Sequence, residues 1–161
     1  MSDARDYLCY TDGSCKAAEG APGGWGFVIK TPEGATLEGH GHAIGTLAKV
    51  MEYRAVAEAL EALAGFHGAR ATVFCDNEPL VQNLSARLDA WVANGFANVD
   101  GTIADSVRRI ADARTRGALV VRYQWIRAHN GNTGNERADA LAAQGAREAK
   151  AMLVGRRGPG A

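Results

Sequence analysis

Four acidic residues of this chain stand where a charged side chain is hard to accommodate in a fold: Asp12, Glu52, Asp76 and Asp139. Asp12 and Asp76 interrupt or end apolar, strand-like runs, whereas Glu52 and Asp139 lie on the apolar sides of predicted helices. A buried charge is costly unless it is paired or bound to a metal ion. If the fold brings the four together, they form a site of oxygen ligands for hard divalent cations. The pattern therefore predicts metal-ion chemistry on phosphates.

The expected burial of Glu52 follows from the helix predicted over residues 48–64. Its apolar residues recur at helical spacing and form one stripe, which consists of Ala55, Val56, Ala59, Leu60 and Leu63. Extending this stripe backwards by three and four residues reaches Glu52, whereas Arg54, Glu58 and Glu61 fall on another face. Glu52 is therefore the acid of this helix that we expect to face the protein interior.

The last helix has a clear N-terminal signal. Residues 133–136 are Thr-Gly-Asn-Glu, which fits a capping box with Thr133 at the cap and Glu136 three residues later. Asp139 then shares one helical face with small apolar residues, namely Ala142, Ala143 and Ala146. We therefore expect Asp139 to lie on the apolar side of this helix.

The remaining pattern predicts an α/β fold. Apolar runs predict strands over residues 7–11, 25–31, 35–44, 71–75 and 119–126. Turns at residues 12–14, 20–24 and 32–34 suggest that the first three strands form an antiparallel meander, and we assign Gly23-Gly24 to a tight turn. Later strands follow helices, so they should pair in parallel. We expect a mixed five-stranded sheet with helices on both faces, further helices from residue 79 and over residues 103–116, and an irregular stretch over residues 85–101.

Length and composition suit one folded domain. The chain has 161 residues, of which 47% are hydrophobic and 22% charged, close to the averages of folded proteins. We expect the domain to cover residues 1–148 and residues 149–161 to form a flexible tail. Basic and acidic residues balance to a net charge of zero, so the chain as a whole has no electrostatic attraction to nucleic acid.

The cysteines and the hydropathy pattern point to an intracellular setting. The three cysteines show no metal-ligand spacing, and Cys9 and Cys75 fall inside apolar runs, which predicts buried free thiols. No apolar run is long enough to predict a membrane span, and the N-terminus lacks a signal-peptide pattern. We therefore expect a cytoplasmic, monomeric protein without membrane contact.

Six motifs follow one another along the chain: Asp12-Gly13-Ser14, Gly24-Trp25-Gly26, Met51-Glu52, Cys75-Asp76-Asn77, Trp125-Ile126-Arg127-Ala128-His129 and Asn135-Glu136-Arg137-Ala138-Asp139. In this order they closely resemble the motifs of type 1 ribonuclease H over about residues 7–147. No single motif is decisive, but the ordered set is specific. The resemblance implies an RNase H-like fold and an endonuclease that cuts the RNA strand of an RNA–DNA hybrid, leaving 5′-phosphate and 3′-hydroxyl ends.

The resemblance also implies roles for individual residues. Asp12, Glu52, Asp76 and Asp139 match the family's metal ligands, and His129 matches the histidine of its mobile active-site loop. Two Mg²⁺ ions would hold the scissile phosphate, with Mn²⁺ as a possible substitute. An imidazole at His129 could deliver a proton to the leaving oxygen or help to expel the product.

Substrate contacts are assigned on weaker signals. The turn Gly13-Ser14-Cys15 and the residue after the third acid, Asn77, could contact a 2′-hydroxyl through backbone and short polar groups. Asn130 lies in the histidine loop and is a further candidate. Among the tryptophans, Trp91 could lie near the DNA strand, whereas we assign Trp25 and Trp125 to the core.

The chain departs from the family pattern at several places, two of which concern whole segments. The stretch before Met51-Glu52 lacks the asparagine pair that relatives often have. The segment that is basic in many bacterial relatives corresponds to residues 85–107, which hold Arg87 as their basic residue against Asp89, Asp100 and Asp105. Because counterion release scales with the number of phosphates neutralised, we predict weaker hybrid binding than in a relative with a basic segment.

Two alternatives remain open from the sequence. The first is another polynucleotidyl transferase of the same fold, such as a junction resolvase or an integrase core. The second is a non-catalytic module that binds hybrids. The four acids argue against the second, because binding alone gains nothing from carboxylates that repel each other.

Overall fold

The computed structural model describes residues 6–128 and 131–157. Its strands are β1 (Tyr7–Cys15), β2 (Gly23–Lys30), β3 (Thr36–Ala43), β4 (Arg70–Cys75) and β5 (Val120–Trp125). Its helices are α1 (Ala48–Leu63), α2 (Glu78–Ala86), α3 (Leu88–Ala93), α4 (Ala104–Arg116) and α5 (Thr133–Arg157). None of the helices in these described ranges is both long and apolar enough to cross a membrane.

The strands form one mixed sheet in the order β3-β2-β1-β4-β5. β1 pairs with β2, and β2 with β3, in antiparallel fashion, while β4 pairs in parallel with β1 and β5. Short turns join the antiparallel strands, whereas helices connect the parallel ones, because a parallel return needs a long crossover. The predicted mixed five-stranded sheet is therefore confirmed.

Two hydrophobic clusters cover the two faces of the sheet. The larger cluster contains the predicted stripe of α1, which is fully buried, together with residues of α2, α3 and α4. The smaller cluster lies under α5 and consists of Tyr10, Val28, Ala138 and Leu141. Helices thus flank both faces, as the sequence predicts, and the predicted buried thiols of Cys9 and Cys75 lie in the larger cluster.

Glycines allow α5 to approach the sheet closely. A Cβ atom on Gly24 would lie 2.7 Å from the carbonyl carbon of Gly145, and one on Gly26 would lie 2.8 Å from the carbonyl oxygen of Ala138. These contacts involve helix backbone, which cannot move aside as a side chain can. The prediction that Gly23-Gly24 forms a tight turn is wrong, because both residues belong to β2.

The predicted turn at residues 12–14 is also wrong. β1 continues through these residues to Cys15 because β2 pairs with it along this whole stretch, from Leu8 opposite Lys30 to Cys15 opposite Gly23. The stretch predicted as irregular contains α3, which buries Leu88 and Trp91. The helix has only six residues, too few to show a helical period, and Asn94-Gly95 follows it as a turn signal.

The last helix begins and ends differently from the prediction. Its cap is Asn132 rather than Thr133: the Asn132 side-chain oxygen accepts a hydrogen bond from the Asn135 N–H at 2.9 Å. The Asn132 carbonyl also accepts from the Glu136 N–H at 2.9 Å, which closes the first helical turn. At the other end, α5 continues to Arg157, so residues 149–157, predicted as part of the tail, are helical.

Candidate active site

Asp12 lies where β1 extends beyond its parallel neighbour. The pairing between β1 and β4 ends at Tyr10 opposite Phe74, whereas the pairing with β2 continues and places Asp12 opposite Gly26. The Asp12 carboxylate therefore points into the space above the carboxyl end of β4, where parallel strands usually present their functional groups. It is only 4% exposed, although it carries an ionisable group.

Glu52 reaches the same space from α1. It is 8% exposed, which confirms the burial that the helical stripe predicts. Its Oε1 accepts a hydrogen bond from the Gly13 N–H at 3.1 Å, and its Oε2 accepts a weaker one from the Cys75 thiol at 3.6 Å. A Cβ atom on Gly13 would lie 2.7 Å from the Glu52 Cα, so glycine is required for α1 to approach β1 this closely.

Asp76 follows β4 directly and joins this group. Glu52, Cys75 and Asp76 each offer a ligand atom within 4.8 Å of the others, which is the one such set found in the described part of the chain. Burial and nearby Glu52 raise the pKa of Cys75 well above its usual value, so its sulfur remains a protonated thiol that donates to Glu52. The ligand atoms of the site are therefore carboxylate oxygens.

Trp125 is a neighbour of this site that we wrongly assigned to the core. It is the last residue of β5, pairs with Cys75, and is 41% exposed. Its indole Nε1–H donates a hydrogen bond to the backbone carbonyl oxygen of Asp76 at 3.2 Å. The contact fixes the main chain that carries the Asp76 carboxylate. A tryptophan at the end of an apolar strand gives no sequence signal for such a bond.

Asp139 approaches Asp12 from the opposite side of the site. The expectation that it lies on the apolar face of α5 is wrong: Asp139 is exposed, and the buried face carries its neighbour Ala138 together with Leu141 and Ala142. The Asp139 side chain nevertheless hydrogen-bonds with Asp12 and thereby raises the pKa of Asp12. The structure therefore brings all four predicted acids to one place: Asp12 hydrogen-bonds with Glu52 and Asp139 and lies within the electrostatic influence of Asp76.

The electrostatics of the site favour protonation or a bound cation. Burial first, and then the charges of Glu52 and Asp76, raise the pKa of Asp12 far above its usual range. Burial and the charge of Asp76 likewise raise the pKa of Glu52, although the hydrogen bond from the Gly13 N–H opposes this. Closely spaced carboxylates that cannot all remain ionised alone fit a divalent cation, which would balance their charge.

The structure also locates several predicted substrate contacts. Asn77 caps α2, because its side-chain oxygen accepts from the Leu80 N–H at 3.1 Å. Trp91 is 9% exposed and packs in the core, so the predicted DNA contact through Trp91 is wrong. Trp25 is buried, as predicted. His129 and Asn130 lie outside the described residues.

Comparison with known proteins identifies the family of the chain. The family model of RNase H matches residues 4–147. The chain belongs to the ribonuclease H family. It is 36% identical over 142 residues to a ribonuclease H of Paracidovorax citrulli, which covers 86% of this chain and 92% of the relative. It is 38% identical over 144 residues to a ribonuclease H of Methylorubrum extorquens, covering 88% of this chain but only 60% of that longer protein.

Solved structures of ribonucleases H have the same fold. LC11-RNase H1, solved in complex with an RNA/DNA hybrid, is 25% identical, superimposes with a TM-score of 0.69, and is matched over 89% of this chain and 99% of its own. LC9-RNase H1, a type 1 RNase H with the type 2 active-site motif, is 24% identical with a TM-score of 0.75, over 89% of this chain and 72% of its own. The predicted RNase H-like fold is therefore confirmed.

Proposed function

We propose that this site hydrolyses the RNA strand of RNA–DNA hybrids and leaves 5′-phosphate and 3′-hydroxyl ends. Membership of the family supports ribonuclease activity, and family members depend on metal ions. The observation that carries the proposal is the burial of Asp12 in hydrogen-bond contact with Glu52 and Asp139 and near the charge of Asp76, an arrangement that is unfavourable for stability alone. Such a cluster is useful when cations bind to it.

Asp12, Glu52, Asp76 and Asp139 would hold two divalent cations. Asp12 would be the acid shared by both ions, because it hydrogen-bonds with Glu52 as well as with Asp139. When bound, such ions activate a water molecule and neutralise the charge that develops on the leaving 3′ oxygen. Mg²⁺ suits a pure carboxylate set, and Mn²⁺ would substitute for it.

The chain's own groups orient this cluster. The Gly13 N–H holds the Glu52 carboxylate, and the Trp125 indole holds the backbone of Asp76. Both contacts limit the motion of acids that must keep a fixed geometry during the reaction. From the sequence, His129 would supply a proton to the leaving oxygen or assist the departure of the product.

Hybrid recognition would combine contacts to both strands. LC11-RNase H1 binds an RNA/DNA hybrid, which supports the same substrate for this chain. Ser14 and Cys15 follow Asp12 and Gly13 on β1 and lie beside the site, where backbone groups could contact a ribose 2′-hydroxyl. Asn77 would contribute through its backbone, because its side chain caps α2, and Asn130 remains a candidate from the sequence.

We also propose that residues 1–148 form the catalytic domain and that the protein acts as a cytoplasmic monomer. The carboxylates of the cluster and their supporting contacts come from one chain. Because these four acids come from one chain, a second copy is not needed to supply them.

Cleavage of end-labelled substrates tests the proposed function. A hybrid, duplex RNA, duplex DNA and a four-way DNA junction are incubated with Mg²⁺ or Mn²⁺, and the product ends are mapped. We expect cleavage of the RNA strand of the hybrid with 5′-phosphate ends. Preferred cutting of the junction would instead support the resolvase alternative, and hybrid binding without any cleavage would support the binding module.

A further inference from the structure

The last turns of α5 carry one apolar side chain that points back to the fold. Ala146 and Ala149 are fully buried on the inner face of α5. The same helical spacing reaches Leu153, which is half-buried, whereas the next residue, Val154, is 63% exposed. The buried face of the helix therefore continues past residue 147, where the match to the family model ends.

Leu153 packs against Gly20 in the β1–β2 loop, which consists of residues 16–22. A Cβ atom on Gly20 would lie 2.6 Å from the Leu153 Cδ1 and 2.9 Å from its Cδ2, so the leucine side chain packs directly against the glycine. Gly20 also has a φ of +79°, a conformation that residues with a side chain rarely adopt. Both the backbone conformation and the contact with Leu153 therefore favour glycine at this position.

The β1–β2 loop is also hydrogen-bonded to the segment before α1. The Gly20 carbonyl oxygen accepts from the Gly45 N–H at 2.7 Å, and the Ala21 carbonyl oxygen accepts from the Thr46 N–H at 3.3 Å. The Cys15 thiol donates a weak bond to the Thr46 carbonyl oxygen at 3.4 Å. Gly20 is thus the residue where the loop contacts both the start of α1 and the end of α5.

The loop forms one wall of an open cavity of about 530 Å³, and residues 46–48 at the start of α1 form another. Cys15, which also lines the cavity, comes three residues after Asp12 on β1, or roughly 10 Å further along the strand. A nucleic acid strand rises about 3.4 Å per nucleotide, so a strand bound at the carboxylate cluster would reach the cavity within roughly three nucleotides. The position of the loop therefore affects how a bound strand fits beside the cluster.

We propose that Leu153 is a positioning residue for hybrid binding, which it supports by holding the β1–β2 loop against the start of α1. This inference rests on the proposed function, in which Ser14 and Cys15 contact the substrate beside this loop. The contact with Gly20 raises the population of the binding-competent loop and does not change the arrangement of the acids. Leu153 therefore affects the affinity for the hybrid, whereas the domain of residues 1–148 determines the rate of cleavage.

Amide hydrogen exchange of the free, full-length chain tests the contact without any substrate. We expect Leu153→Ala to speed exchange at Gly45 and Thr46, whose N–H groups donate to the loop. The Gly13 N–H in the candidate active site should exchange as in the wild type. Alanine favours helix, so α5 itself should persist in the variant. Val154→Ala, a truncation at the exposed neighbour, is the matched control and should leave these exchange rates unchanged.

Binding and cleavage of a labelled RNA–DNA hybrid test the role of the contact. With Asp12→Asn present to prevent cleavage, Leu153→Ala should raise the Kd for the hybrid about three- to tenfold, because fewer molecules hold the loop in place. Leu153→Met keeps an apolar side chain of similar volume and should restore the affinity. With Asp12 intact, the single-turnover rate of Leu153→Ala at saturating hybrid should stay within about twofold of the wild type.

Three results would overturn the proposal. They are unchanged exchange at Gly45 and Thr46 in Leu153→Ala, an unchanged Kd despite faster exchange, and a slower saturated rate with an unchanged Kd. All three leave the proposed function intact, because the wild type still binds and cuts the hybrid. A wild type that does not bind the hybrid would contradict the proposed function, and this inference with it.

Discussion

At the scale of single residues, Asp12 is the side chain that the fold accommodates least well on its own. It is buried, it hydrogen-bonds with Glu52 and Asp139, and its pKa is raised by burial first and by the charges of Glu52 and Asp76 next. A carboxyl group whose pKa is higher in the folded state than in the unfolded state makes stability fall as pH rises between the two values. The metal-free chain should therefore be less stable at pH 8 than at pH 5 because of this residue.

Replacing Asp12 should stabilise the metal-free fold, although it removes a proposed metal ligand. In a chelating buffer, Asp12→Asn should raise the free energy of unfolding at pH 8 by on the order of 1–3 kcal/mol, since each pKa unit is worth about 1.4 kcal/mol. The gain should shrink towards pH 5, because keeping the buried carboxyl group protonated costs less as the pH approaches its pKa in the unfolded state. Urea denaturation at both pH values measures the gain. A variant that is less stable than the wild type at pH 8 would contradict the electrostatic account of the site.

The Trp125 indole should matter through the position of Asp76. Trp125→Phe keeps an aromatic ring but removes the N–H that donates to the Asp76 carbonyl oxygen. We expect about 10- to 100-fold weaker activating Mg²⁺ binding, the range seen when a group supporting a ligand is removed. The Mg²⁺ dependence of hybrid cleavage gives this number. Tryptophan-to-phenylalanine exchange at the buried Trp91 is the control and should leave the Mg²⁺ dependence unchanged.

Sequence patterns reveal some of these residues and not others. Helical periodicity placed Glu52 on a buried stripe, and the end of an apolar run placed Asp76 at the edge of the sheet. The exposure of Trp125 and of Asp139 depends on where β5 ends and on which flank of α5 covers β1. Those are properties of packing between distant segments, which local patterns do not contain.

At the scale of elements, the start of α5 determines where Asp139 stands relative to Asp12. Asn132 caps this helix with its side chain, and Gly134 lies against the ring of Tyr10, where a Cβ atom would be 2.7 Å from the ring carbon Cγ. The helix therefore begins at a fixed place over β1. A shift of its first turn would move Asp139 away from the carboxylate cluster.

The identity of the cap gives a direct test at this scale. Asn132→Ala should lower the free energy of unfolding by about 1 kcal/mol, because a backbone N–H at the helix start loses its partner. Thr133→Ala is the matched control and should cost less, since the capping bond comes from Asn132. Thermal denaturation of both variants shows which of the two residues caps the helix. A larger loss for Thr133→Ala would favour the capping box that the sequence suggested.

Strand and helix periodicity predicted the order of the larger elements, and the sheet confirms it. The start of α5 was misplaced because Asn132 and Thr133 are both good capping residues in sequence. The continuation of β1 through Asp12 was missed because Asp-Gly is a common turn signal. Its pairing with β2 outweighs that local preference.

At the scale of the whole molecule, the chain offers little positive charge to a nucleic acid. Its net charge is zero, and the segment of residues 85–107 has Arg87 as its basic residue. Two acids of this segment also engage cations from elsewhere: Asp89 pairs with Arg114 at 2.9 Å and Asp100 with Lys49 at 2.8 Å. Because Arg114 and Lys49 are paired with these acids, less positive charge is left to neutralise phosphates.

Hybrid binding should accordingly depend weakly on salt. The measurement uses Asp12→Asn to prevent cleavage. Log affinity should fall less steeply with log salt than it does for a relative with a basic segment. The difference in slope should be about 0.9 for each phosphate that the relative neutralises and this chain does not. Fluorescence anisotropy of a labelled hybrid between 50 and 200 mM salt, with the matching variant of the relative as the reference, gives both slopes. Equal slopes would show that basic side chains elsewhere in this chain replace those that the segment of residues 85–107 lacks.

Single-turnover cleavage of an RNA–DNA hybrid tests the central claim, that these acids form one metal centre. We expect Asp12→Asn, Glu52→Gln and Asp76→Asn each to lose at least about 100-fold in rate, with a smaller loss for the exposed Asp139. Glu33→Gln, in the exposed β2–β3 turn at the other end of the strands, should keep the wild-type rate. Folded variants of Asp12, Glu52 and Asp76 that cut within tenfold of the wild type would contradict the account.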